Sequence, residues 1–158
     1  MSVPQRICSM QSNDINISDN QQDCISVVTV AMADDDNLAM PANLSDLGKK
    51  AHAIIVAYLK EHGISYTGGC TAFYSPSYWS ARGEDYGRGS ELIVVYDGGD
   101  HRAAFSMDAA YDADCEAFAA TGKSRAPYAL YEGMQAKLLE AGVFFEEATG
   151  WYGAVYIA

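Results

Sequence analysis

The chain has 158 residues, of which 49% are hydrophobic and 20% charged, and its formal net charge is −11. This length suits a single domain, and the apolar and aromatic content excludes intrinsic disorder over the whole chain. The negative charge opposes direct binding to nucleic acid or to an anionic membrane, and it favours a basic protein partner, including proteins that normally hold nucleic acid.

The four cysteines are widely spaced and match no pattern typical of a zinc site or of a disulfide framework. The N-terminus has no basic segment followed by an apolar stretch, and no apolar run is long enough to cross a bilayer. We therefore expect a cytoplasmic protein with reduced thiols, and we expect neither a structural metal nor a cofactor.

The first 40 residues differ in composition from the rest of the chain. They contain six Asp and one Arg and show little sustained periodicity. This composition predicts a mobile or loosely attached N-terminal arm over residues 1–40, followed by a compact α+β domain over residues 41–158. Residues 25–30 are β-branched enough to form one strand, so an alternative is that this strand completes the sheet.

An amphipathic helix is predicted over residues 44–62, where apolar side chains recur at the spacing that lines one helix face. Asn43 is the candidate N-cap, and Gly63 supplies the left-handed residue that ends the helix. A short extended segment follows over residues 64–74, with a bend at its two glycines.

A second, short helix begins at Ser75 and Pro76, because serine is a good cap and proline fits the first helical position. This helix carries Tyr78 and Trp79. The glycine-rich residues 83–89 then break the pattern and predict a loop.

Residues 91–96 form an apolar run of strand length, and residues 97–100 have the composition of a turn. Together with the alternating residues 101–107 they predict a β-hairpin. The alternation places four side chains on one buried face of its second strand. These are His101, Ala103, Phe105 and Met107.

Two further helices are predicted in the second half of the chain. Asp108 is the candidate cap of the first, in which Tyr111, Cys115 and Phe118 share a face. The second covers residues 127–141, in which an apolar side chain recurs at helical spacing. The chain then closes with two short strands, 143–147 and 151–157, around a three-residue turn that ends in glycine.

These elements predict an α+β fold. The strands that short turns connect are antiparallel hairpins, so a mainly antiparallel sheet is better supported than a doubly wound parallel one. We expect the helices over residues 44–62 and 127–141 to cover one face of this sheet.

Two local patterns raise the alternative of a small hydrolase or transferase. Cys70 follows two glycines, and a histidine, His62 or His101, would have to activate its thiol. Asp97, Asp100 and His101 surround one turn and offer two oxygens and one nitrogen to a divalent metal. A buried cysteine and an ordinary hairpin turn explain the same residues without catalysis, so no catalytic or metal-binding residue is assigned.

Aromatic residues are dense in the segments 73–79 and 144–156, and the strand alternation leaves one aromatic face outside the core unless helices cover it. Such a face predicts a partner-binding surface or a homodimer interface. Together with surface carboxylates, these aromatic residues give eleven candidate partner-binding positions. They are Glu84, Asp85, Asp97, Asp100, Asp112, Asp114, Glu116, Tyr78, Trp79, Trp151 and Tyr152.

The run over residues 66–79, the segment 92–101 and the closing residues 150–156 resemble small proteins encoded by phages and mobile elements. The resemblance covers about residues 44–158 and leaves the N-terminal arm unmatched. Small acidic proteins of such elements often resemble inhibitors of host defence, including anti-CRISPR proteins. The resemblance implies a non-enzymatic inhibitor that acts in the cytosol of a host cell on a basic, nucleic-acid-binding defence protein. A structural or oligomeric phage component is a second alternative.

Overall fold

The computed structural model describes residues 36–64, 68–69, 71–122 and 126–158. The predicted strand over residues 25–30, Cys70 and the N-terminal arm up to residue 35 lie outside the described residues, and the predictions made for them stay predictions. Within the described part of the chain, none of the helices has the length and apolar character needed to cross a membrane.

The described chain contains four α-helices, two short 3-10 helices and four strands. In chain order they are the 3-10 helix Asp36–Leu38, α1 Asp46–Glu61, β1 Phe73–Tyr74, α2 Pro76–Ala81, β2 Leu92–Val95, the 3-10 helix Asp100–Ala104, α3 Met107–Thr121, α4 Ala126–Glu140, β3 Val143–Thr149 and β4 Tyr152–Ile157. The strands form one sheet in the order β1-β2-β4-β3, and every neighbouring pair is antiparallel. The predicted α+β class with an antiparallel sheet is therefore confirmed.

Helix α1 lies where the periodicity places it, but its cap differs from the prediction. Asn43 has a φ of 64° and forms part of a turn before the helix. Ser45 is the N-cap instead, because its backbone is extended and its Oγ accepts a hydrogen bond of 2.9 Å from the Gly48 N–H. Gly63, with a φ of 69°, follows the helix as predicted.

The predicted hairpin between residues 91–96 and 101–107 is wrong. The first half is strand β2, but its neighbours in the sheet are β1 and β4. Asp100–Ala104 forms a 3-10 helix, in which the Arg102 N–H donates to the Gly99 carbonyl. Met107 is 49% exposed and begins α3, so it does not share a buried face with His101.

The cap of α3 also differs from the prediction. The Ser106 carbonyl accepts from the Ala110 N–H, and its Oγ accepts from the Ala109 N–H at 3.4 Å, so Ser106 and not Asp108 precedes the first turn. Tyr111 and Cys115 are exposed, so the face that they share is directed to solvent.

The closing hairpin of β3 and β4 is confirmed. The register pairs Val143 with Ile157 and Phe145 with Val155, and an irregularity between Glu147 and Thr149 precedes the turn. Strand β4 lies between β2 and β3, so this hairpin is joined to the rest of the sheet through β4.

Two hydrophobic clusters lie on opposite faces of the sheet. Leu92 and Val94 belong to the first cluster, which also contains side chains of α1 and α4. Ile93 and Val95 belong to the second, which contains Trp79 of α2. Because successive side chains of a strand point to opposite faces, the central strand β2 is buried on both sides.

Residues 36–40 contact the rest of the domain through backbone carbonyls and one apolar side chain. The Ala72 N–H donates to the Asn37 carbonyl at 2.9 Å, and Nε2 of His52 is 3.0 Å from the Leu38 carbonyl. The Leu38 side chain is buried in the first cluster. The end of the acidic N-terminal segment is therefore tied to α1 and to the start of β1.

Candidate functional site

The second face of the sheet is covered by less structure than the first. Here the short helix α2 and the loop that follows it contact β2 and β4, and Trp79 packs against Tyr152 in a cluster that also contains Ala154. The six residues of α2 are too few to cover a four-stranded sheet, so part of this face is lined by aromatic rings that reach solvent.

Eight aromatic side chains form a continuous series on this face, and we call them the aromatic surface. They are Tyr74, Tyr78, Trp79, Tyr86, Phe144, Trp151, Tyr152 and Tyr156. Neighbouring ring centres lie between 4.3 Å, for Trp151 and Tyr152, and 6.5 Å, for Tyr86 and Tyr156. These separations are typical of aromatic pairs that stabilise one another.

Three members of the aromatic surface are well exposed, and they come from three different elements. Tyr78 of α2 is 57% exposed, Trp151 in the closing turn is 39% exposed, and Phe144 of β3 is 39% exposed. Large apolar groups held in water by a rigid sheet and helix lose little conformational freedom when a partner covers them. The aromatic surface thus has the physical properties of a contact region.

Helix α2 fixes the roles of its two aromatic residues. The Ser75 hydroxyl accepts a hydrogen bond from the Tyr78 N–H at 3.3 Å, and Pro76 occupies the first turn. Consecutive helix residues point about 100° apart, so the buried Trp79 faces the sheet while Tyr78 faces outward and stacks on Tyr74 at 5.6 Å. Trp79 anchors the helix, and Tyr78 is available for contact.

Ring contacts rather than polar bonds hold Trp79 in place. Its indole N–H is buried and has no hydrogen-bond acceptor within bonding geometry among the described residues. Burial raises the pKa of Tyr152 most, and the charge of Glu84 raises it further. The Trp79 side chain lowers the same pKa.

Two carboxylates act on tyrosines of the aromatic surface. The charge of Glu84 acts on Tyr152 and raises its pKa. Burial raises the pKa of Tyr86, and Tyr156 and the Glu146 carboxylate raise it further. The Tyr86 hydroxyl also donates to the Glu146 backbone carbonyl at 3.4 Å. Both tyrosines are therefore neutral in ordinary buffers, and the negative charge of this region comes from the carboxylates.

Arg82 is a basic residue in contact with the aromatic surface. Its guanidinium carbon is 4.9 Å from the centre of the Trp79 ring and 5.8 Å from the centre of the Tyr74 ring. Such distances are typical of cation–π interactions. Asp85, in the same loop, binds Arg88 with an oxygen–nitrogen distance of 2.6 Å.

A shallow cavity of about 210 Å³ opens at the edge of the aromatic surface. Tyr74 and Tyr78 line one side, and Pro41 to Asn43 line the other. It is smaller than the usual binding site for a drug-sized molecule, which is at least about 300 Å³. Its size suits a single protein side chain better than a substrate or cofactor.

The structure brings together five of the eleven candidate positions predicted from the sequence. They are Tyr78, Trp79, Trp151, Tyr152 and Glu84. Asp85 is exposed in the loop that carries Glu84.

The remaining candidates lie on other elements. Asp97 and Asp100 are exposed on either side of the turn that follows β2, and Asp112 and Glu116 are exposed on α3. Asp114 is half-buried on the same helix. Because residues two apart on a helix point about 200° from each other, Asp114 does not share a face with Asp112. The three acidic residues of α3 therefore do not form one patch.

The two enzymatic alternatives gain no support from the described residues. Cys70 lies outside them. Asp97, Asp100 and His101 do not form a metal-binding group, and no set of three or more His, Cys, Asp and Glu side chains in the described part of the chain does so. The reason is that the His101 ring is fully buried, with Nε2 at 2.8 Å from the Val95 carbonyl, whereas both aspartates are exposed.

A larger cavity, of about 420 Å³, lies elsewhere, among residues of the α1 C-terminus, α3 and α4. His62 is its titratable lining residue, together with apolar groups such as Ile64, Pro127 and Leu130. Nδ1 of His62 is 2.9 Å from the Tyr58 carbonyl. A single imidazole among apolar groups has no neighbouring nucleophile or acid in this lining, so the cavity offers little chemistry.

Arg82, Tyr86 and Glu146 belong to the site but were not among the sequence candidates. An arginine three positions after a tryptophan on a short helix is a signal for Arg82, because such residues share a helix face. Tyr86 and Glu146 carry no such signal. They meet because the loop after α2 folds over β3, far away in the sequence.

Comparisons of the chain with protein-family models, with curated proteins and with solved structures find no match. The aromatic surface and the charge of the chain are therefore the basis for a functional proposal.

Proposed function

We propose that the protein is a non-enzymatic, acidic interaction protein that binds a basic protein partner through the aromatic surface. The observation that carries this proposal is the continuous series of rings with three exposed members, Tyr78, Trp151 and Phe144, in a chain of net charge −11. Exposed rings of this kind supply much of the binding energy in protein interfaces, where tyrosine and tryptophan are enriched.

Charge and aromatic rings have separate roles in this proposal. The net negative charge accelerates encounter with a basic partner and sets its orientation. Glu84 and Glu146, beside the rings, then form ion pairs at the rim, and the rings themselves are desolvated at the centre. Affinity should fall when salt is added, because exposed charges are screened over about 8 Å at physiological ionic strength.

A second copy of the chain is a poorer occupant of the same surface. A homodimer would bury the exposed rings, but two molecules of charge −11 repel each other. A basic partner of a different kind gains from charge attraction as well as from burial of the rings. Sedimentation at low salt distinguishes the two cases, and a monomer is expected.

The net charge of the chain favours a basic partner. The resemblance to proteins of phages and mobile elements suggests where this partner is found. A protein with a basic groove for nucleic acid combines positive charge with a concave site that an acidic protein can occupy. We therefore place the protein in the cytoplasm of a host cell, as an inhibitor of a nucleic-acid-binding defence protein, an anti-CRISPR-like role. Such a blocker acts in proportion to its concentration.

The test is binding of a basic probe to variants of two surfaces. An oligoarginine peptide is titrated into the wild type and into the double variant Tyr78→Ala, Trp151→Ala, by calorimetry at low salt. Removing two interface rings should weaken binding about tenfold or more. Trp79 is left unchanged, because truncating a buried tryptophan costs about 3–5 kcal/mol of stability.

Two control variants make this test specific. Tyr111→Ala removes a tyrosine that is 62% exposed on α3, outside the aromatic surface, and should leave affinity within about twofold of the wild type. Asp112→Asn, Asp114→Asn, Glu116→Gln tests the acidic residues of α3 and should weaken binding only through net charge. If this triple variant loses more affinity than the double variant, α3 and not the aromatic surface binds the partner.

A further inference from the structure

Arg82 rests on the aromatic surface although its side chain is exposed. The guanidinium carbon lies 4.9 Å from the Trp79 ring centre and 5.8 Å from the Tyr74 ring centre. The two rings are themselves 5.3 Å apart and inclined by 45°, so they form a shallow angle around the cation. The aromatic surface therefore already contains a site that holds a guanidinium group.

Ring faces, and not a carboxylate, hold the Arg82 side chain. Two other basic residues of the described chain form ion pairs, Arg88 with Asp85 and Lys49 with Asp46. Among the described residues, Arg82 makes no ion pair of this kind. The ring faces thus hold this guanidinium in place of a carboxylate.

Two features make Arg82 a replaceable occupant. It follows α2 as its C-cap residue and precedes Gly83, which has a φ of 92°, so only one end of its segment is helical. A cation–π contact at an exposed site is also weak. A guanidinium from another molecule, which brings further contacts with it, can take its position.

We infer that the Tyr74–Trp79 ring pair is an arginine-recognition site, which Arg82 occupies in the free protein and an arginine of the basic partner occupies in the complex. This inference rests on the proposed function and adds the chemistry of the partner residue. Displaced Arg82 moves into solvent, and the partner's arginine takes its place on the faces of the two rings.

Arginine fits this site better than lysine does. The guanidinium is planar and weakly hydrated, so it stacks on an aromatic ring at a small desolvation cost. The ammonium of lysine is a compact, strongly hydrated charge and gains less from the ring faces. The site therefore discriminates between two peptides of equal charge.

The experiment compares Arg82→Gln with Arg88→Gln, titrated with oligoarginine and with oligolysine peptides of equal length. Both variants lose one positive charge from the same loop. Trp79 and Trp151 are the two tryptophans of the chain, so tryptophan emission reports directly on the aromatic surface. In a Trp151→Phe background, the emission comes from Trp79 alone, the ring that Arg82 covers.

Arg82→Gln should bind oligoarginine about two- to fivefold more tightly than Arg88→Gln does, since it removes the competing occupant as well as a charge. The gain for oligolysine should be smaller. Oligoarginine should also change the emission of Trp79 in the Trp151→Phe background. Equal affinities of the two arginine variants for oligoarginine, or an unchanged Trp79 emission at saturation, would overturn the inference.

Failure of the inference and failure of the proposed function give different results. If both peptides bind, and the double variant Tyr78→Ala, Trp151→Ala weakens them, while Arg82→Gln and Arg88→Gln behave alike, the aromatic surface binds basic partners without an arginine site. If neither peptide binds any of these proteins at low salt, the proposed function fails as well.

Discussion

Adjacent residues of α2 have opposite roles, and only one of them is available to a partner. Trp79 is buried against the sheet and stabilises it, whereas Tyr78 is exposed and contributes little to the fold. The sequence could predict that aromatic residues are concentrated here, and four of its candidate positions, Tyr78, Trp79, Trp151 and Tyr152, belong to the aromatic surface. It could not predict that Arg82 lies on Trp79 and Tyr74, because a side-chain contact of this kind depends on how the helix end is oriented.

A buried histidine predicts how stability depends on pH. Burial lowers the pKa of His52 below its ordinary value of 6.5, while the Leu38 and Ala39 carbonyls act in the opposite direction. Between the folded pKa and 6.5, His52 therefore binds more protons in the unfolded chain than in the folded one. The contribution of His52 to stability is fully present above that pH and decreases as the pH falls towards the folded pKa.

The measurement is urea unfolding of the wild type and of His52→Gln at two pH values, one on each side of the ordinary histidine pKa. Glutamine can keep a donor for the Leu38 carbonyl, but it does not titrate. We expect the wild type to lose more stability than the variant on acidification, while the carboxylates affect both equally. The same loss in both proteins would show that His52 is not responsible.

At the scale of elements, the sequence predicted α1, α2, α4 and the β3–β4 hairpin well, because each has a clear period or clear end signals. The hairpin predicted after β2 failed for a specific reason. Alternating apolar residues in 101–107 imitate a strand, but the His101 ring turns inward to the Val95 carbonyl, and Phe105 packs on Tyr96 and Phe145. The contact with Phe145 joins residues distant in sequence, and the inward turn of His101 depends on three-dimensional packing, so a local pattern contains neither.

The contact between α1 and the start of β2 gives a prediction about stability. A Cβ atom at Gly48 would overlap the Glu91 carbonyl oxygen and lie 3.3 Å from its carbonyl carbon. Alanine favours a helix over glycine by about 1 kcal/mol, but overpacking against backbone costs about 1–3 kcal/mol. Gly48→Ala should therefore lower the midpoint of thermal unfolding, measured by circular dichroism.

The control is the next position of the same helix. Lys49 is exposed, and its ion pair with Asp46 is a surface interaction of little consequence for stability. Lys49→Ala should leave the midpoint nearly unchanged. If Gly48→Ala were as stable as the wild type, the close packing of α1 on the Glu91 backbone would be contradicted.

In the whole molecule, the acidic side chains are spread over several surfaces, whereas the aromatic side chains converge on one. The sequence predicted an acidic protein, and it proposed carboxylates on several segments as one partner-binding set. The structure instead distributes them over a loop, a turn and α3, whereas aromatic residues from α2, β3 and the closing turn converge on one face. Convergence of distant segments results from the sheet order, with β4 between β2 and β3, which the sequence did not reveal.

A basic partner is expected to cover the aromatic surface. Hydrogen–deuterium exchange of the protein, with and without a saturating oligoarginine peptide, tests this expectation. We expect slower exchange in residues 74–91 and 143–157, which carry the aromatic surface, and unchanged exchange in Met107–Thr121 of α3. Slower exchange in α3 with no change in residues 74–91 would contradict it.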